Sequence, residues 1–247
     1  MDVSLLPNEH IETIGRRLQL IVSPAHTFGT DALLLAAFSA PPPAAKVCDL
    51  GTGCGILPFY WLAGGLREVS AVELQAAACS QLRRSAARSG VADRVEVVES
   101  DLNDLRGRLP FGVFDLVTMN PPYLRAGHGA QSSDPARSTA RHETAAALPG
   151  ICAAAAKLLK FGGRFCICMP PDRLAEAICA MDAEKLTPKR LRFVAQRPGS
   201  APWLFLLEGK KGRKPGLTME PEFYLRTADG AESDAWLQVL GDYGKDD

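Results

Sequence analysis

From Ala45 to Met169 the chain alternates short apolar runs with longer helical stretches, and this rhythm most constrains its fold. Lys46–Leu50, Val69–Glu73, Val95–Glu99, Val113–Met119 and Arg164–Met169 read as strands. Gly55–Ala63, Gln75–Ser89 and Thr144–Lys160 read as helices, the last with Leu148, Ile151, Ala155, Leu158 and Leu159 at helical spacing and Gly162-Gly163 as its stop. Strands separated by helices must run parallel, because each helix carries the chain back across the sheet. The expectation is an α/β fold: a mostly parallel, seven-stranded sheet with helices on both faces. Residues 1–44 are expected to pack on the core of 45–247 as a hairpin around Gly15 and a helix from Thr30 to Phe38 that Thr30 caps. Beyond Thr187, Arg190–Ala195 and Trp203–Glu208 predict a terminal antiparallel hairpin in a basic segment, 186–217.

A chain of 247 residues with 47% hydrophobic content can bury one sizeable core. No apolar run approaches the roughly 18–20 residues of a membrane span, and Met1-Asp2-Val3-Ser4 lacks a secretory pattern. Seven cysteines without metal-ligand spacing predict buried, reduced thiols and a cytoplasmic protein, with Cys166 and Cys168 on one face of a strand. A net charge of zero excludes an all-over nucleic-acid-binding surface. The charge is nevertheless uneven. Leu186–Leu217 holds eight bases and one acid, net +7, while Thr218–Asp247 holds two bases and eight acids, net −6. The basic segment suits a polyanion, or else the two segments neutralise one another.

The chemistry-bearing residues fall at strand ends. Asp49-Leu50-Gly51-Thr52-Gly53-Cys54-Gly55 follows a strand and opens a helix, where glycines let a nucleotide-like ligand approach the backbone. The spacing is not the G-x-G-x-x-G of a dinucleotide site, and no Lys-Ser/Thr pair follows for a triphosphate. Glu73, twenty-four residues after Asp49, can accept from both ribose hydroxyls, with Leu74 beside it. Asp101 is placed to accept from an adenine amino group, and Leu102 to cover the ring. Asn120-Pro121-Pro122-Tyr123 makes a stiff turn with two carbonyl acceptors beside an aromatic face, suited to a planar substrate bearing an NH2 group. The following stretch, Leu124–Glu143, has no periodicity, as in a functional or disordered loop. His26 and Asp31 sit where a lid over the cofactor would begin, and Thr30 is placed with the cofactor residues.

Residues 45–169 resemble class I S-adenosylmethionine-dependent methyltransferases of Rossmann-like fold, and Asn120-Pro121-Pro122-Tyr123 resembles the amino-methylating motif of that superfamily. The flanks His26–Leu35, Ala140-Arg141-His142-Glu143 and Pro188–Val194 are similar to the bacterial tRNA adenine-N6 methyltransferase family that acts on tRNA-Val. Cys54 stands where that turn often carries Ser or Asn. The resemblance implies S-adenosyl-L-methionine as cofactor, S-adenosyl-L-homocysteine as product, and N6 of an adenine in structured RNA, foremost tRNA, as acceptor. It implies cofactor contacts at Thr30, Asp49, Gly51, Thr52, Gly53, Gly55, Glu73, Leu74, Asp101, Leu102 and Asn120, and catalysis by Asn120, Pro121, Pro122 and Tyr123. Arg125, Arg141, His142, Lys189 and Arg190 are the candidate RNA contacts. Neither a membrane nor an obligate protein partner is expected. The motif serves other acceptors too, so glutamine-N5 of a protein, guanine-N2 of rRNA and a non-catalytic cofactor-binding protein stand as alternatives.

Overall fold

The computed structural model describes residues 4–121 and 148–243. The candidates Pro122, Tyr123, Arg125, Arg141 and His142, and the loop Leu124–Glu143, lie outside the described residues. In chain order the elements are β1 (His10–Ile14), β2 (Leu18–Val22), α1 (Thr30–Ser39), β3 (Val47–Leu50), α2 (Ile56–Ala63), β4 (Val69–Glu73), α3 (Ala76–Arg88), β5 (Val95–Glu99) and β6 (Phe114–Met119). They continue with α4 (described over 148–158). Then come β7 (Leu159–Met169), α5 (Leu174–Ala183), β8 (Leu186–Ala195), β9 (Leu204–Lys211), β10 (Thr218–Met219), β11 (Phe223–Tyr224) and α6 (Asp234–Leu240).

The main sheet has the order β10-β8-β9-β7-β6-β3-β4-β5, with β11 paired to β8. Strands β5, β4, β3, β6 and β7 are mutually parallel, and β9 runs antiparallel to both β7 and β8. The sheet is therefore mixed: seven long strands as expected, plus two-residue strands β10 and β11 at one edge. Two apolar layers cover it. One joins α1, α2, α3 and α6 to Val47, Val69, Leu116, Cys166 and Cys168, so those two cysteines share a face. The other joins α4 and α5 to Cys48, Val117, Phe165 and Ile167.

Three boundary readings need correction. Gly162-Gly163 does not stop a helix; it lies inside β7, which begins at Leu159. Gly162 has φ +76°, a Cβ on Gly163 would come within 2.9 Å of the Phe114 carbonyl oxygen, and the β6–β7 register shifts between Phe114 and Leu116. The pair makes a bulge, the other common use of strand glycines. Thr30 is the first helical residue rather than the cap; Gly29 holds the cap position in extended conformation. Helices α5 and α6 had no counterpart in the sequence reading, since α5 buries only Ala177 and Met181, and α6 only Trp236 and Val239.

The N-terminal hairpin is tied to α3 by side chains. Ile21 N–H donates to Ser85 Oγ (2.9 Å), and Gln81 Nε2 donates to the Ile21 and His26 carbonyls (2.8 and 3.0 Å). Arg84 grips Glu9 with both terminal nitrogens. This docking brings Thr27 and Phe28 beside the turn that follows β3.

Gly55 caps α2 with φ +91°, and a Cβ there would collide with Leu82 of α3. Gly55→Ala should lower the stability of the cofactor-free protein by about 2–3 kcal/mol, from left-handed strain and overpacking together. Denaturant unfolding checks this, and a loss under about 0.5 kcal/mol would contradict it.

Candidate functional site

Asp49, the penultimate residue of β3, is 2% exposed, with its Oδ1 accepting from the Thr118 hydroxyl at 2.6 Å. Burial pushes its carboxyl up to about 7; the Thr118 and Thr52 hydroxyls oppose the rise and the nearby Glu73 charge adds to it. The glycine turn then doubles back. Thr52 N–H donates to the Val72 carbonyl (3.0 Å), and Gly53 N–H donates to Glu73 Oε2 (2.9 Å). The other Glu73 oxygen accepts from Gln75 N–H (2.9 Å), so one buried carboxylate joins the turn to the start of α3. Each oxygen retains a lone pair for a further donor such as a ribose hydroxyl.

Above the turn is a cavity of about 130 Å3, lined among others by Thr27, Phe28, Asp49, Thr52, Gly53 and Asn120. Thr27 and Phe28 arrive from the N-terminal segment, and the Phe28 ring meets Tyr243 edge-on at 5.8 Å. The volume is below the roughly 300 Å3 of a site enclosing a whole drug-sized ligand, so it suits one compact end of a cofactor.

Two observations test the fit of a cofactor carrying an amino-acid end and a nucleoside end. A Cβ on Gly53 would meet nothing within 4 Å, leaving open space over a turn held at φ +57°. The Thr52 hydroxyl is buried beside the Asp49 carboxyl, whose charged form it favours. Both suit a polar group lying on the turn beside the Asp49 carboxyl. Glu73 and then Leu74, 65% exposed, continue along the strand ends where a nucleoside would extend. Asp101 lies exposed beyond β5, its Oδ1 accepting from Asn103 N–H (2.8 Å) and Nδ2 (2.9 Å), with Leu102 half-buried beside it. The Asp101 Oδ2 remains for another donor. The residues present fit the group.

Asn120 follows β6 and faces the same cavity. Its Nδ2 donates to Asp31 Oδ2 at 2.9 Å, and its Oδ1 accepts from the Cys168 thiol at 3.1 Å. A carboxylate can face only the NH2 side of the amide, so Asp31 selects the flip that turns Oδ1 away from α1. Asp31, read from the sequence as part of a lid, lies against Asn120. Cys168 escaped the sequence reading as a site residue. Its place on β7, beside β6 and near its carboxyl end, was the available signal. Thr30 sits half-buried at the start of α1, next to Asp31.

The expected contacts Lys189 and Arg190 are not brought to Asn120. They lie on β8, the third strand from β6. Arg190 turns into an internal network, donating to Glu208 Oε2 (2.8 Å) and Glu220 Oε1 (2.5 Å), and stacks 4.3 Å from the Phe38 ring centroid. Lys189 Nζ donates to the carbonyls of Lys214 (2.5 Å) and Gly216 (3.3 Å). The larger cavity of about 530 Å3 under α1 and α6 is lined by Arg164, Arg190 and Arg192, all paired to these acids. Among the described residues no helix is long and apolar enough to cross a membrane, and no cluster of three or more His, Cys, Asp or Glu is placed to hold a metal. All seven cysteines are free and six are buried.

Residues 27–180 match the family model of the methyltransferase small domain. Among curated relatives, a tRNA1(Val) (adenine(37)-N6)-methyltransferase of Aeromonas hydrophila is 30% identical over 87% of this chain and 89% of its own length. The protein of the same name from Bacteroides thetaiotaomicron is 32% identical over 72% and 74%. Among solved structures, a predicted O-methyltransferase from Agrobacterium tumefaciens superposes with a TM-score of 0.66 at 24% identity, covering 85% of this chain and 95% of that one. The geranyl diphosphate C-methyltransferase of Streptomyces coelicolor, in complex with S-adenosyl-L-homocysteine, gives 0.51 at 14% identity over 72% and 75%. At these identities the two structures establish the fold.

A carboxyl raised to about 7 in the folded state binds its proton more tightly there than in the unfolded chain. Its contribution to stability is complete below about pH 4 and is lost as pH rises through about 7. Without cofactor, the wild type should lose up to about 4 kcal/mol over that window relative to Asp49→Asn. Parallel unfolding curves for the two proteins from pH 4 to 8 would disprove the assignment.

Proposed function

The chain belongs to the methyltransferase small-domain family, in the branch of the tRNA1(Val) adenine-N6-methyltransferases, and from that premise we propose that it methylates the exocyclic N6 amino group of an adenine in tRNA. The observation that carries the reading is Asn120, oriented by Asp31 at the rim of the cavity it shares with Asp49 and Gly53. The cofactor is S-adenosyl-L-methionine, which when bound supplies a methyl group already activated by its sulfonium centre.

The chain's own residues have two tasks, holding the cofactor and directing the acceptor nitrogen. Asp49 and the glycine turn take the amino-acid end, Glu73 the ribose hydroxyls, and Leu74, Asp101 and Leu102 the adenine. The N6 lone pair of the target adenine is delocalised into the ring, so the acceptor needs direction more than deprotonation. Asn120 Oδ1 and the Pro121 carbonyl each accept one N–H, which localises the lone pair and aims it. Alignment of this type is worth orders of magnitude in rate. Tyr123 stacks on the extruded base, contributing roughly 1–3 kcal/mol. The surplus proton leaves to water. Such an enzyme works in the cytoplasm, where tRNA is processed.

The test is transfer of labelled methyl to bulk tRNA from a strain lacking the enzyme, followed by nucleoside analysis for N6-methyladenosine. Transfer to protein, with none to any RNA, would refute the reading. Asn120→Ala should cut kcat at least a hundredfold and leave cofactor affinity within a few-fold.

Asp31 acts as a positioning residue for that amide. Asp31→Asn should lower kcat about tenfold with KM and cofactor affinity nearly unchanged, because either end of the Asn120 amide can then face residue 31. Asn120→Asp alone sets two carboxylates against one another. Adding Asp31→Asn to it should restore at least tenfold in kcat, a recovery that a purely structural role for Asp31 would not produce.

A further inference from the structure

Most of the cations in and just before the basic segment fall into two groups. Arg190 and Arg192 turn onto Glu208 and Glu220. A second group gathers at the amino-terminal ends of β7 and β8, opposite Asn120. Backbone links hold it together: Gly212 N–H donates to the Lys185 carbonyl (2.9 Å), and the Thr187 hydroxyl to the Arg213 carbonyl (2.7 Å). Lys211 Nζ donates to the Leu159 carbonyl (2.8 Å), and Lys189 Nζ to those of Lys214 and Gly216. Lys185, Lys189, Lys211, Arg213 and Lys214 thus adjoin one another. Among the described residues none of the five has a carboxylate within ion-pair distance, although Asp182 and Glu184 lie nearby on and just after α5.

In their midst stands Phe161, 70% exposed, with the Arg213 guanidinium 5.2 Å from its ring centroid. Gly212 (φ +67°) would put a Cβ 2.5 Å from Phe161 Cε2, and Gly162 (φ +76°) would put one 2.7 Å from Arg213 Nη2. Both glycines sit at positive φ and leave room beside the ring and the guanidinium. A solvated charge run does not need an exposed ring seated in it, whereas a polyanion whose units carry π faces uses both features. Phe161 lies eight residues before Met169 on β7, on the order of 25 Å from the catalytic end.

We propose that Phe161 and its five cations form a docking surface for the RNA substrate, remote from the target adenine, with backbone phosphates on the cations and an unpaired base on the ring. The proposal rests on the RNA-methyltransferase reading. At this distance the surface contributes to binding and not to the chemical step. A full-length tRNA reaches it, and a short stem-loop carrying the target adenine does not.

The experiment compares wild type with Phe161→Ala and with Lys185→Glu/Lys214→Glu, using bulk unmodified tRNA and a short stem-loop, alongside direct tRNA binding without turnover. Both variants should raise KM and Kd for tRNA at least fivefold and leave kcat within twofold. Tm, cofactor Kd and stem-loop kinetics should not change. The charge variant should also show a shallower dependence of log Kd on log salt. An unchanged KM and Kd for tRNA in both variants would overturn the proposal, as for a surface that docks protein. If wild type binds tRNA through the patch and methylates none, the docking surface stands and the functional reading falls. If it methylates tRNA with a patch-independent KM, the docking surface falls and the functional reading stands.

Discussion

A parallel sheet covered on both faces leaves only its ends open to ligand, and everything at the candidate site follows from that burial. Cys48, Leu50, Val72, Leu116 and Val117 are at or near zero exposure, so ligand-accessible polar chemistry cannot be placed along these strands. It is displaced to their carboxyl termini. Asp49, Glu73 and Asn120 lie at three of these ends, and Cys168 next to a fourth. Their side chains are paired wherever burial would otherwise leave charge or dipole unmatched: Asp49 on Thr118, Glu73 on two backbone N–H groups, Asn120 on Asp31 and Cys168.

Those pairings also tie the N-terminal segment to the chemistry. The hairpin is anchored on α3 through Ser85 and Gln81, which lays Thr27 and Phe28 over the glycine turn and brings Asp31 to Asn120. The N-terminal segment of about forty residues thereby supplies one wall of the cavity and the group that orients its central amide. The acidic C-terminal stretch has a comparable part. Glu220 holds Arg190 and Arg192 inward, and Tyr243 backs Phe28. Local neutralisation within the ion network accounts for part of the charge imbalance. The cations around Phe161 are among those it does not neutralise.

Much of this was legible beforehand because its signals are local. Val69–Glu73 and Val95–Glu99 have the bounds read from the sequence, since short apolar runs between glycine turns admit few alternatives. The glycine turn was legible because φ values of +57° to +91° at Gly51, Gly53 and Gly55 favour that residue. The errors share a cause. Gly162-Gly163 carries the same local signal as a helix stop or as a strand bulge, and pairing with β6 decides which. Helices α5 and α6 cover the sheet with too few apolar residues to announce themselves.

Alone, the sequence determined the alternation of elements, the glycine turn, and the carboxylates and asparagine destined for the strand ends. Each depends on backbone conformation or on spacing along one strand. The tertiary structure decided which charges are spent and which remain available: Arg190 turned inward, Lys185, Arg213 and Lys214 left around an exposed ring, Asp31 set against Asn120. Those outcomes depend on distances between residues 18 to 89 positions apart, as in Arg190–Glu208 and Asp31–Asn120, and only folding sets such distances.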